Sequence, residues 1–151
     1  MDYYTPTTTQ HQLHTPNYVA DTKLEYLIIL SNRHKVPIEY LPSYLGHNYW
    51  LAILMQTIIM NDLPEMDRIL TINAIDVNTP LWKNLTAIWY AAMYGHFEMV
   101  QHLILRGALV NIYDNDLKKS CLDIAQSNNH KRTAYLLMAY NAKKYVAKKV
   151  E

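Results

Sequence analysis

The 151-residue chain carries thirteen carboxylates, seven histidines and one cysteine, the side chains that do acid–base, metal and nucleophilic chemistry. Such chemistry needs several of them brought to one point by spacings that a helix, turn or strand folds onto a common side. The spacings here do not achieve this. Asp62, Asp76, Asp114, Asp116 and Asp123 fall near expected turns and helix starts, where a carboxylate satisfies free backbone N–H groups. His96 and His130 recur at equivalent turn positions, His102 lies beside an apolar stripe, and His11 and His14 have ligand spacing without companions. Cys121 has no second cysteine for a disulfide or a thiolate metal site, and reads as a buried structural thiol. A glycine-rich phosphate loop, GxSxG and HExxH are all missing. The expectation is a chain with no catalytic residue, no metal site and no cofactor.

Contact chemistry is better supplied. Trp82, Tyr94 and Tyr113 offer large contact area at small entropic cost, the property that makes aromatics dominate protein interfaces. The net charge of +1 hides a basic C-terminal end, where Lys118, Lys119, Lys131, Arg132, Lys143, Lys144, Lys148 and Lys149 face only Asp123 and Glu151. A positive end of this kind attracts nucleic acid, anionic lipid or an acidic partner. Solvated lysines covering the last unit of a stack are the simpler reading.

The elements that must position these groups repeat. The stretch TAIWYAAMYGHFEMVQHLILRGALVN from Thr86 to Asn111 is followed 34 residues on by SCLDIAQSNNHKRTAYLLMAYNA from Ser120 to Ala142. Overlaid, Ser120 falls on Thr86, Ala125 on Ala91, Asn129 on Gly95, His130 on His96, Leu137 on Leu103 and Ala142 on Ala108. Ala91 and Ala92 are small where two helices must lie close, and Gly95 supplies a left-handed helix end. From His96 to Arg106 the residues Phe97, Met99, Val100, Leu103, Ile104 and Leu105 cover one broad apolar face of a second helix. Val110 to Lys119 reads as a projecting polar loop. A poorer copy lies 33 residues earlier, with Pro64-Glu65-Met66 on Phe97-Glu98-Met99, Leu70 on Leu103 and Val77-Asn78 on Val110-Asn111. It places Ile58 and Ile59 where the better copy has alanines, and Asp67 in place of Val100.

TAIWYAA resembles the TPLHLAA that opens an ankyrin repeat, GHFEMVQHLILRGA resembles GHLEIVKLLLKAGA, and Val110-Asn111 matches the closing VN. The resemblance implies an all-α fold, an ankyrin-repeat solenoid of about three to four stacked helix-turn-helix units, divergent at both ends. Trp89 and Asp123 replace the histidine of TPLH, Asn84, Asn129 and Asn141 replace glycines, and the last loop has one extra residue.

Family resemblance also implies a non-catalytic module that binds a protein partner along the loop tips and the concave helix face. Carried onto this chain, that surface comprises Leu81, Trp82, Lys83 and Asn84 from one loop and Met93 and Tyr94 from the helix after it. Tyr113, Asn115, Asp116 and Lys119 follow from the next loop, with Ser127 and Asn128 from the next helix. The poorer copy adds Met60 and Asn61. Nucleic acid is not the expected partner. An inhibitor or escort of one specific enzyme, or a nucleic-acid binder using the basic face, are the alternatives. Asn-, Lys-, Ile- and Tyr-rich usage fits AT-rich coding sequence, and hence a pathogen effector or viral host-interaction protein.

Residues 1–20, rich in Thr, Gln, His and Tyr with two Thr-Pro steps, are expected to form a mobile arm. Residues 21–48 read as a helical cap or eroded repeat: a helix from Thr22 to Asn32 opened by Asp21, and a shorter one from Pro37 to Leu45 interrupted at Pro42. Residues 49–151 read as the ankyrin-like repeats. No apolar run reaches the length of about 18 residues needed to span a bilayer, and a Sec-type signal is absent. The chain is therefore expected in the cytoplasm, or in a host cytosol if exported by a non-Sec route.

Overall fold

The computed structural model describes residues 18–147. The expected mobile arm lies outside the described residues as far as Asn17, as do Lys148, Lys149 and Glu151; Tyr18–Ala20 already belong to a helix. The chain divides into two compact units, Met1–Ile69 and Leu70–Glu151.

The first unit contains α1 (Tyr18–His34), a 3-10 turn at Ile38–Tyr40, α2 (Leu41–Leu45), α3 (His47–Ile59) and most of α4 (Leu63–Ile72). Helix α1 buries Tyr26 and Leu30, one turn apart, and leaves Leu24 and Ile28 outside at 52% and 42% exposure. Its inward face is thus rotated from the Leu24, Leu27, Ile28, Leu30 face expected from sequence. Pro42 sits in the first turn of α2, where its missing N–H costs nothing, so it starts that helix and does not interrupt one. In α3 every residue from Ala52 to Ile58 is buried, the pattern of a helix enclosed on all sides.

The second unit contains the end of α4, a 3-10 turn at Trp82–Asn84, and two helical hairpins. Helices α5 (Ala87–Tyr94) and α6 (Phe97–Leu105) form the first hairpin, and α7 (Cys121–Ser127) and α8 (Lys131–Ala139) the second. Helix α5 packs on α7 and α6 on α8, so the hairpins stack side by side. Ala91, Ala92 and Ala125 are fully buried at this seam, where larger side chains would push the helices apart. Met99, Val100, Leu103 and Leu137 are also completely enclosed. Burial of this kind contributes roughly 1.5–3 kcal/mol for each large aliphatic side chain. The expected polar loop between the hairpins holds a short antiparallel ribbon, β1 (Tyr113–Asp114) with β2 (Lys119–Ser120).

Identical corners mark the repeat. The N–H of Gly95 bonds to the Ala92 carbonyl and that of His96 to the Ala91 carbonyl, closing α5 with a Schellman motif around a left-handed residue. The same two bonds close α6 around Gly107, α7 around Asn129 and α8 around Asn141. They also close α3 around Asn61 and α4 around Ala74. Gly95 and Asn129 therefore occupy equivalent corners, as the overlay requires.

Those corners correct the register of the poorer copy. Asn61 lies 34 residues before Gly95, whereas Ala74 lies 33 before Gly107, so one extra residue is accommodated within α4. Counted from Asn61, Met66 takes the place of Val100, and both are fully buried, while Asp67 stays half-exposed outside the stripe. Thr57 and Ile58, rather than Ile58 and Ile59, replace the alanine pair. The buried Thr57 hydroxyl is satisfied by donating to the Leu54 carbonyl at 2.7 Å.

Candidate partner-binding surface

Two loops project from the second unit, and α5 anchors both. Tyr90 donates its hydroxyl to the Trp82 carbonyl at 2.5 Å, and Trp89 donates its indole N–H to the Lys119 carbonyl at 3.2 Å. The two rings, edge to face at 5.4 Å, are 2% exposed, so the anchors are held within the core. In the first loop the Leu81 N–H bonds to the Leu85 carbonyl, and Lys83 and Asn84 both adopt left-handed backbone. In the second, Asp114 is buried and its carboxylate accepts the Asp116 N–H at 2.9 Å, tightening the turn of the ribbon, with Lys118 left-handed at φ 55°.

Asparagine bridges tie successive units. Asn78 accepts from the Leu109 N–H at 2.9 Å and donates to the Gly107 carbonyl at 3.2 Å; Asn111 accepts from the Lys143 N–H at 2.9 Å. One repeat further on, Tyr145 stands where an asparagine would. Its N–H turns inward to the Asp123 carboxylate at 2.7 Å, and its ring meets Tyr113 edge-on at 5.2 Å. The tail thereby lies against the ribbon, leaving a cleft of about 280 Å³ lined by Asn111, Tyr113, Lys143 and Tyr145 among others.

The residues expected to meet a partner divide by exposure. Lys83, Tyr113, Asn115, Asp116, Ser127 and Asn128 are exposed, whereas Trp82, Met93, Tyr94 and Lys119 are half-buried and Leu81 is buried inside its loop. Three pairs are brought together: Lys83 Nζ lies 5.1 Å from the Trp82 ring, Lys119 Nζ donates to Ser127 Oγ at 2.5 Å, and Asn128 donates to the Met93 carbonyl at 2.9 Å. Tyr94 stacks on His96 at 5.6 Å, and burial pushes its hydroxyl pKa up. Met60 is half-buried and Asn61 is the exposed corner residue of α3, in the other unit. Sequence reasoning missed the anchoring role of Trp89 and Tyr90 and the contact of Tyr145. The hydrophobic pattern marks the first two only as core, and nothing local marks the third.

Several of the groups with chemical potential have structural partners. Asp62 and Asp76 accept backbone N–H groups of Glu65 and Asn78. Asp123 forms a capping box with Ser120 and holds the Tyr145 N–H. Partial burial raises its pKa, but the Tyr145 and Ser120 N–H groups, the Ser120 hydroxyl and nearby Lys144 outweigh this and set it below the ordinary value. Cys121 is fully buried, and that burial, only partly offset by hydrogen bonding, pushes its thiol up to about 12, so it is an unreactive thiol. Among the described residues no helix is long and apolar enough to cross a membrane.

Helical hairpins closed by one kind of corner and bridged by recurring asparagines define a helical repeat protein. A family model described as ankyrin repeats, three copies, matches residues 54–148. The chain belongs to the ankyrin-repeat family, whose members are typically non-catalytic protein-interaction modules. No curated protein and no solved structure matched it.

Proposed function

We propose that the chain is a non-catalytic recognition module that holds a protein partner on its two anchored loops and on the C-terminal ends of α5 and α7, half-buried in the first and exposed in the second. The observation that carries this reading is the combination of exposed tips with pinned bases. Tyr113, Asn115, Asp116 and Lys83 face solvent, yet the loops that bear them are fixed by Trp89 and Tyr90. A surface ordered before binding loses less conformational entropy on association. Its Asn-, Lys-, Ile- and Tyr-rich usage, of the kind AT-rich coding sequence gives, is what favours a partner in a host cell, as for a pathogen effector or viral host-interaction protein acting in the cytosol. The test is recovery of a partner with the full chain and measurement of its affinity for Trp82→Ala. A drop of about tenfold or more with an unchanged unfolding midpoint supports recognition, whereas parallel loss of affinity and stability assigns Trp82 to the fold.

A further inference from the structure

We propose that the loop-tip surface takes an acidic segment of a partner protein, with Lys83 and Lys118 as its carboxylate-binding cations; the proposal rests on the recognition reading above. Both lysines are exposed and both have left-handed backbone, φ 58° and 55°. That conformation disfavours any side chain bearing a Cβ, and glycine or asparagine fills it at least cost. In the second unit the other left-handed positions are Gly95, Gly107, Asn84, Asn129, Asn141 and, as the exception, Ala74. Each of the two projecting loops nevertheless spends one such position on a cation. Backbone outliers of this kind collect where a side chain serves binding.

The charges around them are unbalanced. Residues 70–147 contain eight basic side chains against five acidic ones. Of the five, Asp76, Asp114 and Asp123 accept backbone N–H groups, and Glu98 lies 3.9 Å from Arg132 on the second helices. Asp116 remains as an exposed carboxylate on the ribbon. Among the described residues no carboxylate lies within 4.0 Å of Lys83, Lys118, Lys119, Lys143 or Lys144. Apolar surface sits beside the cations: the Trp82 ring under Lys83, Leu117 next to Lys118 at 51% exposure, and Tyr113 at 44%. Such a surface fits carboxylates spaced among aliphatic or aromatic residues. A nucleic acid, with a charge at every phosphate, would set one against Asp116.

The experiment is selection of a random displayed-peptide library on the immobilised full chain, followed by titration of the enriched peptide. The expected peptides carry Asp or Glu beside apolar residues and weaken with added salt. Affinity falls about tenfold or more for the Lys83→Gly/Lys118→Gly double variant, whose urea midpoint is unchanged or higher because glycine relieves the left-handed strain. Neutral peptides, an acidic peptide indifferent to the double variant, or tighter binding of a single-stranded oligonucleotide would overturn the proposal. Neutral peptides that are lost with Trp82→Ala leave the recognition reading standing and remove only the acidic partner. A library from which nothing enriches removes both.

Discussion

Thr86 and Ser120 hold the same place in successive repeats, just before α5 and α7, and their hydroxyls meet opposite fates. Ser120 accepts the Asp123 N–H at 3.1 Å while Asp123 accepts the Ser120 N–H at 3.0 Å. Thr86 Oγ1 is buried with no hydrogen-bond partner among the described residues, because Trp89 replaces the polar residue that would face it. Exchanging an unsatisfied buried hydroxyl for a methyl is neutral or favourable. Thr86→Val is therefore expected to leave stability unchanged or raise it by up to about 1 kcal/mol, whereas Ser120→Val is expected to cost about 1–2 kcal/mol through loss of the cap. Urea unfolding of both variants checks the opposite signs; equal losses would refute them. Trp89 was legible in the sequence as a departure from the repeat pattern. Its bond to the Lys119 carbonyl was not, since the acceptor lies 30 residues away.

At the scale of elements, the left-handed corner decides how each helix ends. Gly95 is doubly constrained: its φ is 72°, and a Cβ there would run into the His130 ring. Gly95→Ala is expected to be strongly destabilising, by about 2 kcal/mol or more, since it combines left-handed strain with a clash. Ala74 pays that strain already at φ 50°, so Ala74→Gly is expected to stabilise by up to about 1 kcal/mol. Thermal or urea midpoints for the pair check both signs. The corners also explain what the sequence concealed. Gly95, Gly107, Asn129 and Asn141 announce themselves by residue type, and the two hairpins they close were readable. Ala74 does not, which left the extra residue in α4 unseen and put Asp67 into the stripe where Met66 belongs. Helix α3 begins at His47 after a left-handed Gly46 with no capping side chain, and its largely apolar body, broken only by the buried Gln56 and Thr57, has no periodic edge to mark a start. The ribbon has two-residue strands, too short for an alternating pattern to show.

The tail element has a pH signature of its own. Because the folded pKa of Asp123 lies below the ordinary 3.8, the stability its contacts contribute is complete above that value and is lost as pH falls through the lower folded value. The Tyr145 amide resonance is expected to titrate with a midpoint under 3.8, and Asp123→Ala is expected to abolish that titration. A midpoint at or above the ordinary value would detach the tail from Asp123.

On the scale of the whole molecule, a repeat fold puts its constant residues into corners and seams and leaves its loops free to vary. The constant part is what made the family visible from Thr86 to Ala142, and the variable part is why the residues proposed to meet a partner are named by position and not by affinity. Leu81 illustrates the difference: it belongs to a projecting loop, yet at 8% exposure it fills that loop's interior. Tyr113 and Trp82 remain the two large aromatics accessible on anchored loops, one exposed and one half-buried. The most direct test is the dissociation constant of the recovered partner for the wild-type chain and for the Trp82→Ala/Tyr113→Ala variant, read beside the urea midpoint of each. The expected result is affinity reduced about tenfold or more at an unchanged midpoint. Undiminished affinity in a folded double variant would contradict recognition through the loop tips.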